Sequence, residues 1–380
     1  MKNLAFPDGT TSRFYDERYY PKWYFPYFLA SAGHNLKNKN FREEMGLNDS
    51  LVIGDSGGYQ IATGKVQWED HLTADIFEWL ENNSDIAMNL DIPPRLAYDN
   101  RYNEALDITL KNFKYFEKHQ TGKTKFLTVL QGNSPDSYIR WYNYVKDFQF
   151  QGWAIGGTQG SLDRLIFSIA LLLQNKEFEK PGVDLIHVLG LSGPTDFFVL
   201  GMLQKEFHKL YPKVQISTDS STPNRSTVYG MYYLTPNWNK LTLPNLYFAK
   251  KSKITKHIYN PDAPLPCVID CPICRGLTWK DIQDWKTWSY MIMTGHNMHI
   301  FIDMVNAINR MFLSHEGIIE ELIPSEYNKL HTVIKDMFKD PDNAINIYNS
   351  NFTSIISKIG RSPVEEANDS NINKFFNFDK

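Results

Sequence analysis

Leu51-Val-Ile-Gly-Asp-Ser-Gly-Gly-Tyr-Gln60 opens as a short apolar, β-branched run and stops on an acid followed by two glycines. Such a run fits a buried strand, and Asp55-Ser-Gly-Gly supplies the polar break that ends it. The pattern recurs at 27–31, 86–90, 126–130, 153–156, 185–189 and 214–218, with a weaker eighth candidate at 246–249. Stretches with helical apolar spacing lie between them, at 73–82, 102–118, 137–148, 161–173 and 195–210. Strand and helix therefore alternate at about 25–40 residues per unit, the rhythm of βα repeats and a parallel sheet.

Seven or eight such units favour a (β/α)8 TIM barrel over an open doubly wound sheet. No GxGxxG or Walker-type loop supports a nucleotide-binding open sheet. In a barrel, chemistry is built at the carboxyl ends of the strands. Asp55, Asp91, Gln131, Gly156, Gly157, Gly190 and Asp219 all fall in that phase. Taken singly, each has a plain structural explanation: Asp55 or Asp91 as a turn residue, Asp219 as a helix N-cap, Gln131 as an edge residue, Tyr59 as core. Their shared phase favours a functional site.

The chain has 380 residues, enough for one large domain or two ordinary ones. With 42% hydrophobic and 22% charged residues it has the composition of a soluble globular protein. A net charge of −3 argues against coating nucleic acid by bulk attraction, yet leaves room for a local basic patch. The best patch is Lys250, Lys251, Lys253 and Lys256, read as phosphate contacts rather than a merely solvated loop. The most apolar helical run, 165–173, is far shorter than the ~20 residues a bilayer needs. Met1-Lys-Asn-Leu-Ala-Phe-Pro-Asp lacks a signal peptide's apolar stretch, so a cytoplasmic location with no membrane partner is expected.

The only three cysteines form Cys267-Val-Ile-Asp-Cys271-Pro-Ile-Cys274, a poor basis for a secreted disulfide scaffold. Three thiolates can take three corners of a tetrahedron around a soft ion, of which structural Zn²⁺ is the usual one. His296 is the expected fourth ligand, with His299 the competitor one turn later. Filling all four positions makes the metal structural rather than catalytic. The expected organisation is a barrel over 1–312, including a zinc-binding subdomain at about 256–300, and a C-terminal helical extension over 313–380 with a loosely ordered end.

At these residues the chain resembles the tRNA-guanine transglycosylase superfamily. Asp55-Ser-Gly-Gly-Tyr-Gln60 is similar to the family's DSGGFQ, Val129-Leu-Gln131-Gly132 to its VQGG, and Gly152-Trp-Ala-Ile-Gly-Gly157 to its GYAIGG. Leu189-Gly190, with Gly193-Pro194 after it, resembles the segment before the nucleophile strand, and Asp219 to Arg225 keeps the Asp-to-Pro interval of DxxxPTR. His296-Asn-Met and Phe301 match the helix that supplies the last zinc ligand. The match runs in order from about residue 50 to 310.

The resemblance implies exchange of guanine in a nucleic acid for a 7-deazaguanine base such as preQ0. Asp219 would be the nucleophile at C1′ and Asp55 the general acid/base, by the double displacement that retaining glycosidases also use. Asp91, Gln131 and the Gly156-Gly157 backbone would read the base beside Gly190, with Tyr59 stacking and Gln60 adjoining. Arg225 would touch the nucleic acid. Family members often form homodimers, so a homodimer is one candidate partner state here, and helper proteins that open the duplex are another.

The departures from the family lie in the parts that grip RNA. Ser226-Thr227 follow Arg225, so a second arginine is missing, and Ala30-Ser-Ala-Gly-His34-Asn replaces the usual NTYHL. The first cysteine gap is one residue wider than usual. This combination resembles the DpdA-type branch, which acts on DNA. DNA is therefore the expected substrate, with tRNA as the alternative and a non-catalytic partner subunit as a further one.

Overall fold

A computed structural model describes residues 24–67, 69, 71–94, 102–158, 161–191, 193–238, 240–247, 260–266, 271–282, 287–313 and 324–359. Seven strands form one parallel sheet: β1 Tyr27–Ser31, β2 Leu51–Asp55, β3 Ile86–Met88, β4 Lys125–Leu130, β5 Gly152–Ile155, β6 Leu185–Val188 and β7 Gln215–Thr218. Their spatial order is their chain order. The helices are α1 Ala32–Asn35, α2 Phe41–Glu44, α3 Gly58–Ala62, α4 Leu72–Asn83, α5 Tyr102–His119, α6 Pro135–Val145, α7 Leu162–Gln174, α8 Pro194–Leu210 and α9 Thr222–Val228. Next come α10 Thr287–Leu313, α11 Ser325–Lys339 and α12 Ala344–Asn351.

The sequential order has a physical consequence. Right-handed crossovers between successive neighbours put every connecting helix on the same face of the sheet. The other face can then be buried only by curling the sheet onto itself. The strands carry both signatures: β3 and β5 are buried at every position, and β4 at all but its first.

Register separates the two faces. Ser31 pairs with Asp55, Ile53 with Ile86, Ile86 with Lys125, Val129 with Ala154, Ala154 with His187, and His187 with Ser217. With the two-residue period of a strand, Ser31, Asp55, Val129, Ala154, His187 and Ser217 share one face. Gly54 and Phe126 lie on the other face, against the helices. A Cβ on Gly54 would come within 2.5 Å of Leu80 in α4, and Phe126 packs on Phe77 and Phe116. Asp55 and His187 therefore look into the curl.

The sheet is a half-barrel rather than the closed eight-stranded barrel expected. Among the described residues β1 and β7 pair with β2 and β6 alone. The eighth candidate is a correction. Asn245–Tyr247 forms β9 and pairs antiparallel with β8, Met231–Tyr233, outside the parallel sheet. Among the described residues no helix joins these two strands, and without a crossover the chain turns back on itself. The end of that candidate, 248–249, lies outside the described residues.

One large core runs through the sheet and its helices, and its apolar residues include Tyr327, Leu330, Ile334, Phe338 and Tyr348 from α11 and α12. Phe338 packs edge-on to Phe207 of α8 at 4.7 Å, and Tyr348 to Phe167 of α7 at 5.1 Å. A second, smaller core gathers Tyr232, Cys271, Cys274, Trp279, Ile282, Ile292 and Met293. Among the described residues no helix is long and apolar enough to cross a membrane.

Candidate functional site

The acids gather where the strands end. Asp55 closes β2, and its Oδ2 accepts the Ser31 hydroxyl from the end of β1 at 2.8 Å. Its Oδ1 accepts the Gly57 amide at 3.2 Å. Burial pushes the Asp55 carboxyl above its ordinary range, the Ser31 and Gly57 hydrogen bonds and nearby His34 pull it down, and the charge of Asp219 pushes it up again. Asp55 and Asp219 thus feel each other across the curl, although 164 residues of chain separate them.

Asp91 follows β3 and is buried. Burial, opposed by a hydrogen bond from Gln131 and reinforced by the charge of Asp55, raises its carboxyl to about 7. Gln131, after β4, donates Nε2 to Asp91 Oδ2 at 2.7 Å. The glycines of the opening motif let these loops meet. A Cβ on Gly58 would lie 2.0 Å from the Asp91 carbonyl oxygen, so only glycine lets the β2 loop touch the β3 loop. Gly157 has φ +72°, and a Cβ there would meet the Gly132 carbonyl at 2.1 Å. The Gly156 carbonyl accepts the Tyr138 hydroxyl at 2.8 Å, which fixes this turn to α6.

Asp219 follows β7 with its side chain 21% exposed. Its Oδ1 accepts the Gly190 amide at 3.0 Å, and His187 Nε2 lies 3.5 Å from the same oxygen. Tyr59, on α3, is 57% exposed, an aromatic face open to a ligand, whereas Gln60 is buried and its Nε2 meets His34 Nδ1 at 3.4 Å. Arg225 sits exposed on α9. Lys250, Lys251, Lys253 and Lys256 lie outside the described residues.

Three partners of these acids are missing from the sequence reading. Ser31 was open to discovery, since it ends β1 in the same phase as the acids. His34 lies one helical turn further on in α1. His187 lies inside β6, where the sequence alone reads as an ordinary buried strand position.

A buried group of Cys271, Cys274 and His296 can hold a metal ion, with ligand atoms all within 4.8 Å of one another. Cys267, the expected further ligand, lies outside the described residues. His299, the competitor to His296, is buried but is not part of the group. The donor set fits a soft divalent ion. His296 Nε2 is 2.8 Å from the Tyr233 carbonyl, which needs a proton on that nitrogen and leaves Nδ1, 3.4 Å from Cys274 Sγ, as the ligand atom. The Tyr232 ring stacks on the imidazole at 3.8 Å. Asn297, the next residue, accepts the Tyr233 amide at 2.9 Å and donates to Thr227 Oγ1 at 3.0 Å and Met231 O at 2.8 Å. Asn297 ties α10 to β8 and to α9, the helix that follows Asp219, while His296 of the same helix faces Cys274.

No family model matches the chain, and no curated protein matches it.

Proposed function

We propose that the protein is a base-exchange transglycosylase that replaces guanine in DNA with a 7-deazaguanine base through a covalent aspartyl intermediate. The observation that carries the reading is that Asp55, Asp91 and Asp219 follow β2, β3 and β7 at the same end of one parallel sheet, each with different partners. Asp219 Oδ2 attacks C1′, the C1′–N9 bond breaks, and the electron pair leaves on guanine N9, where Asp55 delivers a proton. An incoming base then gives its N9 proton to Asp55 and attacks C1′, which breaks the bond to Asp219. Two inversions give retention. A carboxyl raised by burial suits Asp55 to hold and return a proton near neutral pH.

Asp91 accepts the N1–H and N2–H of the purine, which are donors presented side by side. The second amide hydrogen of Gln131 Nε2, not used by Asp91, is available for O6, together with the Gly157 amide. Tyr59 stacks on the base. A target in duplex DNA is flipped out or met single-stranded. The half-barrel belongs to a (β/α)8 barrel, and Cys267, Cys271, Cys274 and His296 hold a structural Zn²⁺ that fixes the region beside α9. The enzyme works in the cytoplasm.

Incubating the protein with labelled guanine or preQ0 and, side by side, plasmid DNA and bulk tRNA tests the reading. Label in DNA is the expected result, and label in tRNA alone moves the substrate to the other nucleic acid. A denaturing gel with wild type and Asp219→Ala tests the chemistry. An adduct that survives the substitution, or none with either nucleic acid, removes the mechanism.

A further inference from the structure

We infer that His187 is a positioning residue for Asp219, selecting Oδ2 as the attacking oxygen and steadying the carboxylate as it leaves in the second displacement. This rests on Asp219 being the nucleophile. His187 is fully buried inside β6, on the face of the sheet that looks into the curl. Its neighbours in register are Ala154 on β5, a side chain too small to crowd the ring, and Ser217 on β7. Nδ1 is 3.0 Å from Ser217 Oγ, and Nε2 is 3.5 Å from Asp219 Oδ1. That second contact is long for a hydrogen bond but within ion-pair reach, and catalytic contacts tighten when substrate binds.

The proton inventory leaves two arrangements. If Ser217 donates to Nδ1, the ring proton is on Nε2 and faces the carboxylate. If Ser217 donates to the Ile186 carbonyl, 3.3 Å away, Nδ1 keeps a proton for Ser217. Nε2 then turns a lone pair toward the carboxylate, which opposes it. The first arrangement is the one that turns an N–H toward Oδ1, and it is the one inferred.

The Gly190 amide aims a second N–H at the same oxygen, at 3.0 Å. With Oδ1 held twice, Oδ2 is the oxygen that attacks. Once the C1′–Oδ2 bond has formed, Oδ1 is the carbonyl oxygen of a glycosyl ester. When the incoming N9 breaks that bond, the electron pair returns to the carboxylate, and charge develops on Oδ1 against two donors already in place. The same donors quiet the free carboxylate as a nucleophile. Loss of His187 therefore slows discharge of the adduct more than its formation.

The test follows adduct formation on a guanine-containing DNA strand, or tRNA if that is the substrate, and its discharge by added free guanine in rapid-quench denaturing gels. His187→Leu is expected to slow discharge by about a hundredfold, so that adduct accumulates. His187→Gln, whose terminal amide reaches the Nε2 position, is expected to stay within about tenfold of wild type. His187→Asn, whose amide stops at the Nδ1 position, is expected to behave like leucine, and this pair decides the matter if the leucine variant does not fold. Discharge at the wild-type rate in His187→Leu, or equal rates for the glutamine and asparagine variants, overturns the inference while leaving the nucleophile intact. Absence of any Asp219-dependent adduct in the wild-type protein removes the parent reading and this one with it.

Discussion

The amide of Gln131 donates to the buried carboxylate of Asp91 across 2.7 Å, joining the ends of β3 and β4 over 40 residues of chain. The contact joins two polar side chains into one edge at the strand ends. Asp91 is held with one oxygen engaged, and Gln131 keeps a second hydrogen for a ligand.

Under the proposed function, binding of the base depends on the charge of Asp91. Its carboxyl is raised to about 7, so it is mostly protonated at pH 5.5 and mostly ionised at pH 8. The purine offers two N–H donors and needs the ionised acceptor. Affinity for free guanine, measured by calorimetry, is therefore expected to rise about tenfold or more between pH 5.5 and 8. Asp91→Asn is expected to bind weakly at every pH. A flat profile in the wild-type protein would remove Asp91 from the base pocket.

Stability runs the other way. A carboxyl raised in the folded state binds its proton more tightly folded than unfolded, so stability falls as pH rises from about 4 to about 7 and is level above. For Asp91 the cost at pH 8 reaches up to about 4 kcal/mol, before the protein relaxes around the charge. Asp55 is shifted in the same direction and adds to the slope. Urea titrations of Asp91→Asn should show a more stable protein at pH 8 and an unchanged one at pH 4. No gain at pH 8 would mean that the charge is not buried at that site in solution.

Gly58 has no room for a methyl group. Alanine there drives a carbon to 2.0 Å from the Asp91 carbonyl, a backbone atom that cannot swing aside. Gly58→Ala is expected to cost about 1–3 kcal/mol and to lower base exchange beyond what lost stability explains, because the shift carries Asp91 with it. Thermal melts and exchange rates of the same preparation separate the two effects.

If the cysteine turn holds a zinc ion, as proposed, its stability depends on that ion. Cys274→Ser or His296→Ala should lose bound zinc by elemental analysis and lower the melting temperature, and a strong chelator should do the same to the wild-type protein. Asn297→Leu tests the link from α10 to α9. It leaves the buried Tyr233 amide without its side-chain partner, at a cost of about 1–3 kcal/mol, and also removes the bonds to Thr227 Oγ1 of α9 and to the part-buried Met231 carbonyl. Full stability in Asn297→Leu would show that the link carries no weight.

Much of the architecture is written locally. All seven strands of the parallel sheet begin and end within a residue or two of the apolar runs that mark them, because a buried strand needs a continuous apolar stretch and a polar stop. The eighth failed for a reason the local signal does not contain. Asn245–Tyr247 has the composition of a strand, but its partner is chosen by what connects it to the rest, and β8 is the nearest edge. His187 was equally hidden, since a histidine among apolar strand residues carries no sign of what it faces.

The order of acids and glycines along the chain determined which residues stand at the strand ends, and the cysteine spacing marked the turn whose Cys271 and Cys274 lie close enough to His296 to share a metal ion. Both are properties of neighbours in sequence. Only the curled sheet decided that Asp55 and Asp219 share a field, that Asp91 loses its water and gains Gln131, and that His187 stands behind Asp219. These depend on register and curvature, which bring atoms from distant strands within a few ångströms, and no local pattern encodes such a distance.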